Sequence, residues 1–176
     1  MRLNAADSDK WRKSRKPVLR IVMQLEHMAR YLYRGTNPDL YRSTGGKLRP
    51  KACGEDFKRP VYYGEKVYYG DGIVYGESER NAVIMHQRDS SKNPTSGIST
   101  TPIYENAVRY ATQNGKYPSG YVYKIDTALL EAHGVTAYPV DLHAVKPAIP
   151  EDLEVILVAR DFGALPDEII VDVVAV

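Results

Sequence analysis

Three acids, Glu151, Asp152 and Glu154, crowd the mouth of a segment, "PEDLEVILVA", that then turns almost wholly apolar. Carboxylates at the entrance of so greasy a strand cost desolvation energy unless they have work to do. In one extended run Asp152 and Glu154 share a face, about 7 Å apart, and Glu151 turns the other way into solvent. The plain reading is a charged strand start exposed to water. In "TSGISTTP", Ser99 and Thr101 project from one face of an extended segment and Thr100 from the other. That run is also, more simply, a strand leading to a capped helix. Arg34 ends "YLYRGT", where a surface arginine is the unremarkable reading. His86 is a lone histidine with nothing beside it at metal-ligand spacing, and it reads as structural.

The elements that must hold these residues follow from periodicity. Val18, Val22, Leu25 and Ala29 recur at helical spacing, with Pro17 suited to the first turn. "RYLYRGT" alternates as a strand and is stopped by Gly35 and "NPD". Residues 37–97 are loop-rich, apart from a short helix within "ERNAVIMHQRDSS" that has His86 near its end. Thr101 caps a helix beginning at Pro102, with Ile103, Ala107, Tyr110 and Ala111 as its buried stripe and Gly115 at its end. "GYVYKIDT" is an alternating strand; a loop through "AYPVDLHAVKPAIP" then leads to apolar strands over 154–159 and 168–175. Helices come first and strands later, with no alternating βαβ pattern, so the fold class is α+β.

Composition narrows the field. The 176 residues suit a single domain, 1–176, whose first 29 form a basic, helical extension. The net charge of +2 supplies no global field for nucleic acid. Residues 10–16, "KWRKSRK", are a solvated face or arm, or else a phosphate contact. One cysteine, Cys53, excludes an internal disulfide framework and a cysteine-based zinc site. No apolar run reaches the roughly 18 residues that span a bilayer, and no secretory signal is evident. The expected location is the cytoplasm, or a target cell's cytoplasm after delivery as an effector. Fourteen tyrosines stand against two phenylalanines, with "VYYG" at 61 and 67 and "VYG" at 74. These describe a glycine-punctuated hairpin edge or a recognition surface for a ring or a protein.

Taken in order, "YLYRGT", "SGISTTP" and "PEDLEV" resemble the mono-ADP-ribosyltransferases of the cholera toxin type. Their pattern is an arginine ending an early strand, a Ser-Thr-Ser-like strand, and a Glu-x-Glu or Gln-x-Glu entering a late one. The likeness runs over residues 31–176. It implies a split β-sandwich of two mostly antiparallel sheets with flanking helices around a cleft for NAD, the co-substrate; no metal is implied. Nicotinamide leaves NAD neutral, so no general acid is required, and catalysis rests on stabilising an oxocarbenium-like ribose. By resemblance Glu154 stabilises that cation, Ser99 orients Glu154, and Arg34 beside Gly35 grips a phosphate or the adjacent ribose. Thr100 and Thr101 support the site edge.

Asp152 departs from the family's usual Glu or Gln, keeping the charge with one methylene less of reach. The resemblance gives that position the selection or activation of the acceptor, and gives the loop 137–150, with Tyr138 and His143, its recognition. The implied activity is transfer of ADP-ribose from NAD to a macromolecule, protein rather than nucleic acid, by a bacterial toxin or effector domain. A cognate inhibitor protein and no membrane partner go with it. Two other readings stay open: an NAD glycohydrolase using water, and an inactive binding module of the same fold.

Overall fold

The computed structural model describes residues 28–65 and 69–176. The basic 10–16 run, nearly all of the helix expected over 18–29, and part of the second "VYYG" lie outside the described residues. The strands are β1 (Tyr31–Thr36), β2 (Arg59–Val61), β3 (Gly76–Ser78), β4 (Ile98–Thr100), β5 (Tyr121–Asp126), β6 (Val135–Pro139), β7 (Val155–Ala159) and β8 (Ile170–Ala175). Among them run helices α1 (Pro38–Thr44), α2 (Glu79–Arg88), α3 (Tyr104–Ala111) and the one-turn α4 (Val140–His143). Two three-stranded antiparallel sheets, ordered β1-β5-β8 and β4-β7-β6, are accompanied by a separate small β2-β3 ribbon. The α+β expectation holds.

Alternation along the strands builds the layers. Val155, Leu157 and Ala159 of β7 face Leu32, Tyr123 and Ile125 of the other sheet, while Ile156 and Val158 face Ala82, Val83 and Ile84 of α2. A strand covered on both faces reads as a continuous apolar run. On the outer face of β1 and β5, α3 packs Ala107 and Ala111 against Val122. That seat is very close: a Cβ on Gly35 would lie 1.9 Å from the Ala107 carbonyl oxygen. The two large sheets also touch directly. The Tyr33 N–H donates to the Thr101 carbonyl (2.7 Å) and the Thr101 N–H to the Tyr33 carbonyl (3.0 Å).

Several local expectations are corrected. "NPD" does not merely stop β1; it starts α1, with the Asn37 side chain accepting from Leu40 N–H (2.9 Å) and Pro38 in the first turn. Helix α3 begins at Tyr104, two residues after Pro102, because the Thr101 hydroxyl is spent on the Asp152 carbonyl (2.6 Å) and the Ile103 N–H (3.1 Å). It ends at Ala111, with Gly115 in the turn beyond. The segment 137–150 is not all loop, since the end of β6 and the whole of α4 lie within it. Residues 150–152 form a 3₁₀ turn, Leu153 is left-handed (φ 46°), and the strand starts only at Val155. Asp152 and Glu154 therefore do not share a strand face. The last strand, β8, is an edge, apolar in sequence yet largely exposed. The ribbon carries Tyr62, Tyr63 and Tyr75 exposed beside it.

Candidate active site

The seam between the sheets brings three distant pieces together. Arg34 follows Tyr33 at that seam, and its Nη1 donates to the Ser99 carbonyl at 3.0 Å. Strand β4 pairs Ser99 with Ile156 and Thr100 with Val155, which sets β4 alongside the chain just after Glu154. The two threonines fasten that chain: Thr100 Oγ1 donates to the Val155 carbonyl (2.6 Å) and Thr101 Oγ1 to that of Asp152. Arg34, Gly35, Ser99, Thr100, Thr101, Asp152 and Glu154 all line one cleft of about 360 Å³. This is within the range of small-molecule sites. Tyr138 and His143 do not line it. Tyr138 packs on Phe57, 4.9 Å between centroids, and on His143 at 5.7 Å. From the same stretch it is Ile149 that reaches the cleft, and Glu151 is exposed.

Two further residues of the cleft were named in the sequence but not assigned to the site: His86 was read as structural and Tyr110 as core. His86, 5% exposed, places Nε2 2.9 Å from the Ser99 hydroxyl and Nδ1 2.6 Å from that of Thr95. Its signal was present in α2: it stands four residues after Ala82, on the helix's buried face, where a polar side chain needs a partner. Tyr110, assigned to the buried stripe of α3, is instead half exposed at the rim and donates its hydroxyl to Asp152. Asn106 Nδ2 (3.1 Å) and Arg109 Nη2 (3.4 Å) hold the other Asp152 oxygen. Residues 106, 109 and 110 lie on one helical face, so α3 grips a carboxylate that is itself 5% exposed.

The electrostatics follow from burial. Desolvation raises the Glu154 pKa, with Asp152 adding to the rise, while the Ser99 hydroxyl and the Arg34 guanidinium pull it back. Burial lowers Arg34, opposed by Glu154 and then Tyr110. His86 is pushed down to about 4 by burial and then by the positive charges of Arg34 and Lys51, so its ring is neutral at pH 7. Tyr110 is pushed up to about 12 by burial and its bond to Asp152.

The cleft has a polarity. On the far side of Arg34 lies a smaller cavity of about 60 Å³ that shares Arg34, His86, Ser90 and Ser99 and adds Thr36, Arg49 and Lys51. Lys51 Nζ reaches Ser90 Oγ (2.9 Å) and Ser91 Oγ (3.2 Å), and its pKa is lowered by burial and then by Arg34. Among the described residues neither Arg34 nor Lys51 has a carboxylate within ion-pair distance. The buried Thr36 hydroxyl has no hydrogen-bond partner among the described residues. One end thus gathers positive charge, which suits an anionic group, and the other carries carboxylates, which suit a cationic one.

A search of curated proteins finds no match to the chain. The sequence model of the NarE family matches residues 31–157. That span takes in β1 with Arg34, β4 with Ser99, and the turn that carries Asp152 and Glu154, and it covers well over half of the residues. The chain belongs to the NarE family, whose members are ADP-ribosyltransferase-like.

Proposed function

We propose that this chain is a mono-ADP-ribosyltransferase that binds NAD in the cleft and passes its ADP-ribose to a macromolecular acceptor. The observation that carries this reading is the convergence of Arg34, Ser99 and Glu154, from three separate stretches of chain, on a single cavity. The diphosphate lies across Arg34 toward Lys51, and the nicotinamide ribose lies between Ser99 and Glu154. The C1′–N bond breaks with its electron pair returning to the pyridinium nitrogen, so nicotinamide departs neutral. The ribose left behind is cationic, and the Glu154 carboxylate stabilises it. The Ser99 hydroxyl fixes that carboxylate by donating to it. The acceptor nucleophile then bonds to C1′ and gives up its proton to the Asp152 carboxylate.

The state of Asp152 favours a second reading. Its oxygens are already taken by Tyr110, Asn106 and Arg109, so an acceptor side chain has to displace one of them, whereas water need not. An NAD glycohydrolase is that alternative. Incubation with NAD labelled in its adenylate half, with and without cell lysate, separates the two. Label on macromolecules together with free nicotinamide supports transfer, and nicotinamide with free ADP-ribose alone supports hydrolysis. Neither product would refute both. A toxin or effector role belongs to the transfer reading; it requires growth arrest on intracellular expression that depends on Glu154.

A further inference from the structure

The ring of His86 sits in a chain of hydrogen bonds whose direction is fixed at both ends. At one end the Gly97 N–H, which can only donate, gives its proton to Thr95 Oγ1 at 3.1 Å. At the other, the Ser99 hydroxyl bonds Glu154 in the sense that favours its charged form, lowering a pKa that burial raises, which is the sense of a hydroxyl donating to a carboxylate. Between them lie the two His86 contacts, 2.6 Å to Thr95 and 2.9 Å to Ser99. We infer that Thr95 and His86 are positioning residues that turn the Ser99 hydroxyl onto Glu154, with His86 held as the Nε2–H tautomer. This rests on the NAD reading of the cleft only for its consequence in catalysis.

Donor counting leaves one arrangement fully satisfied. Ser99 has one hydroxyl proton; given to Glu154, it leaves the Ser99 oxygen to accept from His86 Nε2–H. Nδ1 is then a bare lone pair and must accept, and Thr95 has its own proton free to donate because Gly97 already fills an acceptor site. The opposite tautomer would make Thr95 accept from both Gly97 and Nδ1–H. Its proton would then lack an acceptor within a residue that is 3% exposed, which is costly. Ser99 would also turn to Nε2, depriving Glu154 of its donor. A doubly protonated ring is disfavoured near neutral pH by burial and by Arg34 and Lys51. Packing keeps the anchor in place: a Cβ on Gly97 would meet Ile156 Cγ2 at 2.5 Å and Phe57 Cε2 at 2.8 Å. The Gly97 backbone therefore sits where a side chain has no room.

The test begins with the unaltered protein. Nitrogen-15 NMR of the His86 ring at neutral pH is expected to show a protonated Nε2 and a bare Nδ1; a protonated Nδ1 overturns the inference. Thr95→Val keeps the shape and removes the donor. It is expected to mix the tautomers and to lower kcat for nicotinamide release roughly tenfold, about what one misdirected hydrogen bond is worth, with KM for NAD unchanged. Thr95→Ser restores both readouts. Slower turnover with the tautomer unchanged in Thr95→Val overturns the inference, because the threonine would then act by packing alone. An Nε2–H ring in a protein that releases no nicotinamide supports the relay and refutes the NAD reading instead.

Discussion

Replacing Glu154 by glutamine removes a charge and almost nothing else. The amide keeps the volume, and its oxygen still accepts the Ser99 hydroxyl, so the loss isolates the carboxylate's attraction for the cationic ribose. Two unit charges about 4 Å apart at an effective dielectric of about 20 attract by about 4 kcal/mol. Nicotinamide release should therefore fall by about three orders of magnitude, in kcat rather than in KM, because the cation exists only near the transition state. The stability change has a definite sign. Burial holds the Glu154 pKa above its ordinary value, so the folded state binds this proton more tightly than the unfolded chain does. Above that pKa the ionised group therefore costs stability. Glu154→Gln should melt at the same temperature as the parent or higher, which is the pattern of a residue kept for activity at the expense of the fold. Nicotinamide would be followed chromatographically and folding by thermal melting. Turnover near that of the parent, or a loss accompanied by a lower melting temperature, refutes the reasoning.

Lys51→Met should raise KM for NAD about tenfold, the scale of a charged hydrogen bond, and leave affinity for nicotinamide riboside, which has no phosphate, unchanged; titration calorimetry with both ligands checks this. The folded pKa of His86, about 4, lies below its ordinary 6.5, so the unfolded chain takes up this proton first as pH falls. Its contribution to stability is full above about pH 6.5 and declines by about 1.4 kcal/mol per pH unit down to about 4, a slope that urea titrations should find missing in His86→Asn. Gly35→Ala should destabilise the fold by at least about 2 kcal/mol through the Ala107 carbonyl; an unchanged denaturation midpoint would mean that α3 is not seated as described.

What the sequence made legible was what short-range pattern controls. β1 and β5 alternate, β4 reads as an extended run leading into a capped helix, and a short helix is visible where α2 lies, so each could be placed from the residues alone. The start of α1 misled because Asn-Pro-Asp serves both as a turn and as a cap followed by an N1 proline. The two acids were put on one strand face because nothing in "PEDLEV" marks Leu153 as left-handed; that backbone is imposed from outside, by Thr101 holding the Asp152 carbonyl. The candidate site residues were chosen by resemblance, and their gathering in one cleft depends on the Tyr33–Thr101 seam and on strand pairings that join residues tens of positions apart. Periodicity carries no information about such contacts. His86 was read as merely structural for the same reason, since its partner Ser99 lies in another element.

The threonine fasteners have an evolutionary consequence. Thr100 and Thr101 hold the main-chain carbonyls of Val155 and Asp152, on either side of Glu154, through bonds that use no side chain of that stretch. A change of residue type at 152 or 153 therefore leaves the path of the backbone anchored, and Glu154 stays at its post. On the proposed function, such a scaffold would let a lineage explore new acceptors by single substitutions beside Glu154 without having to rebuild the pocket each time.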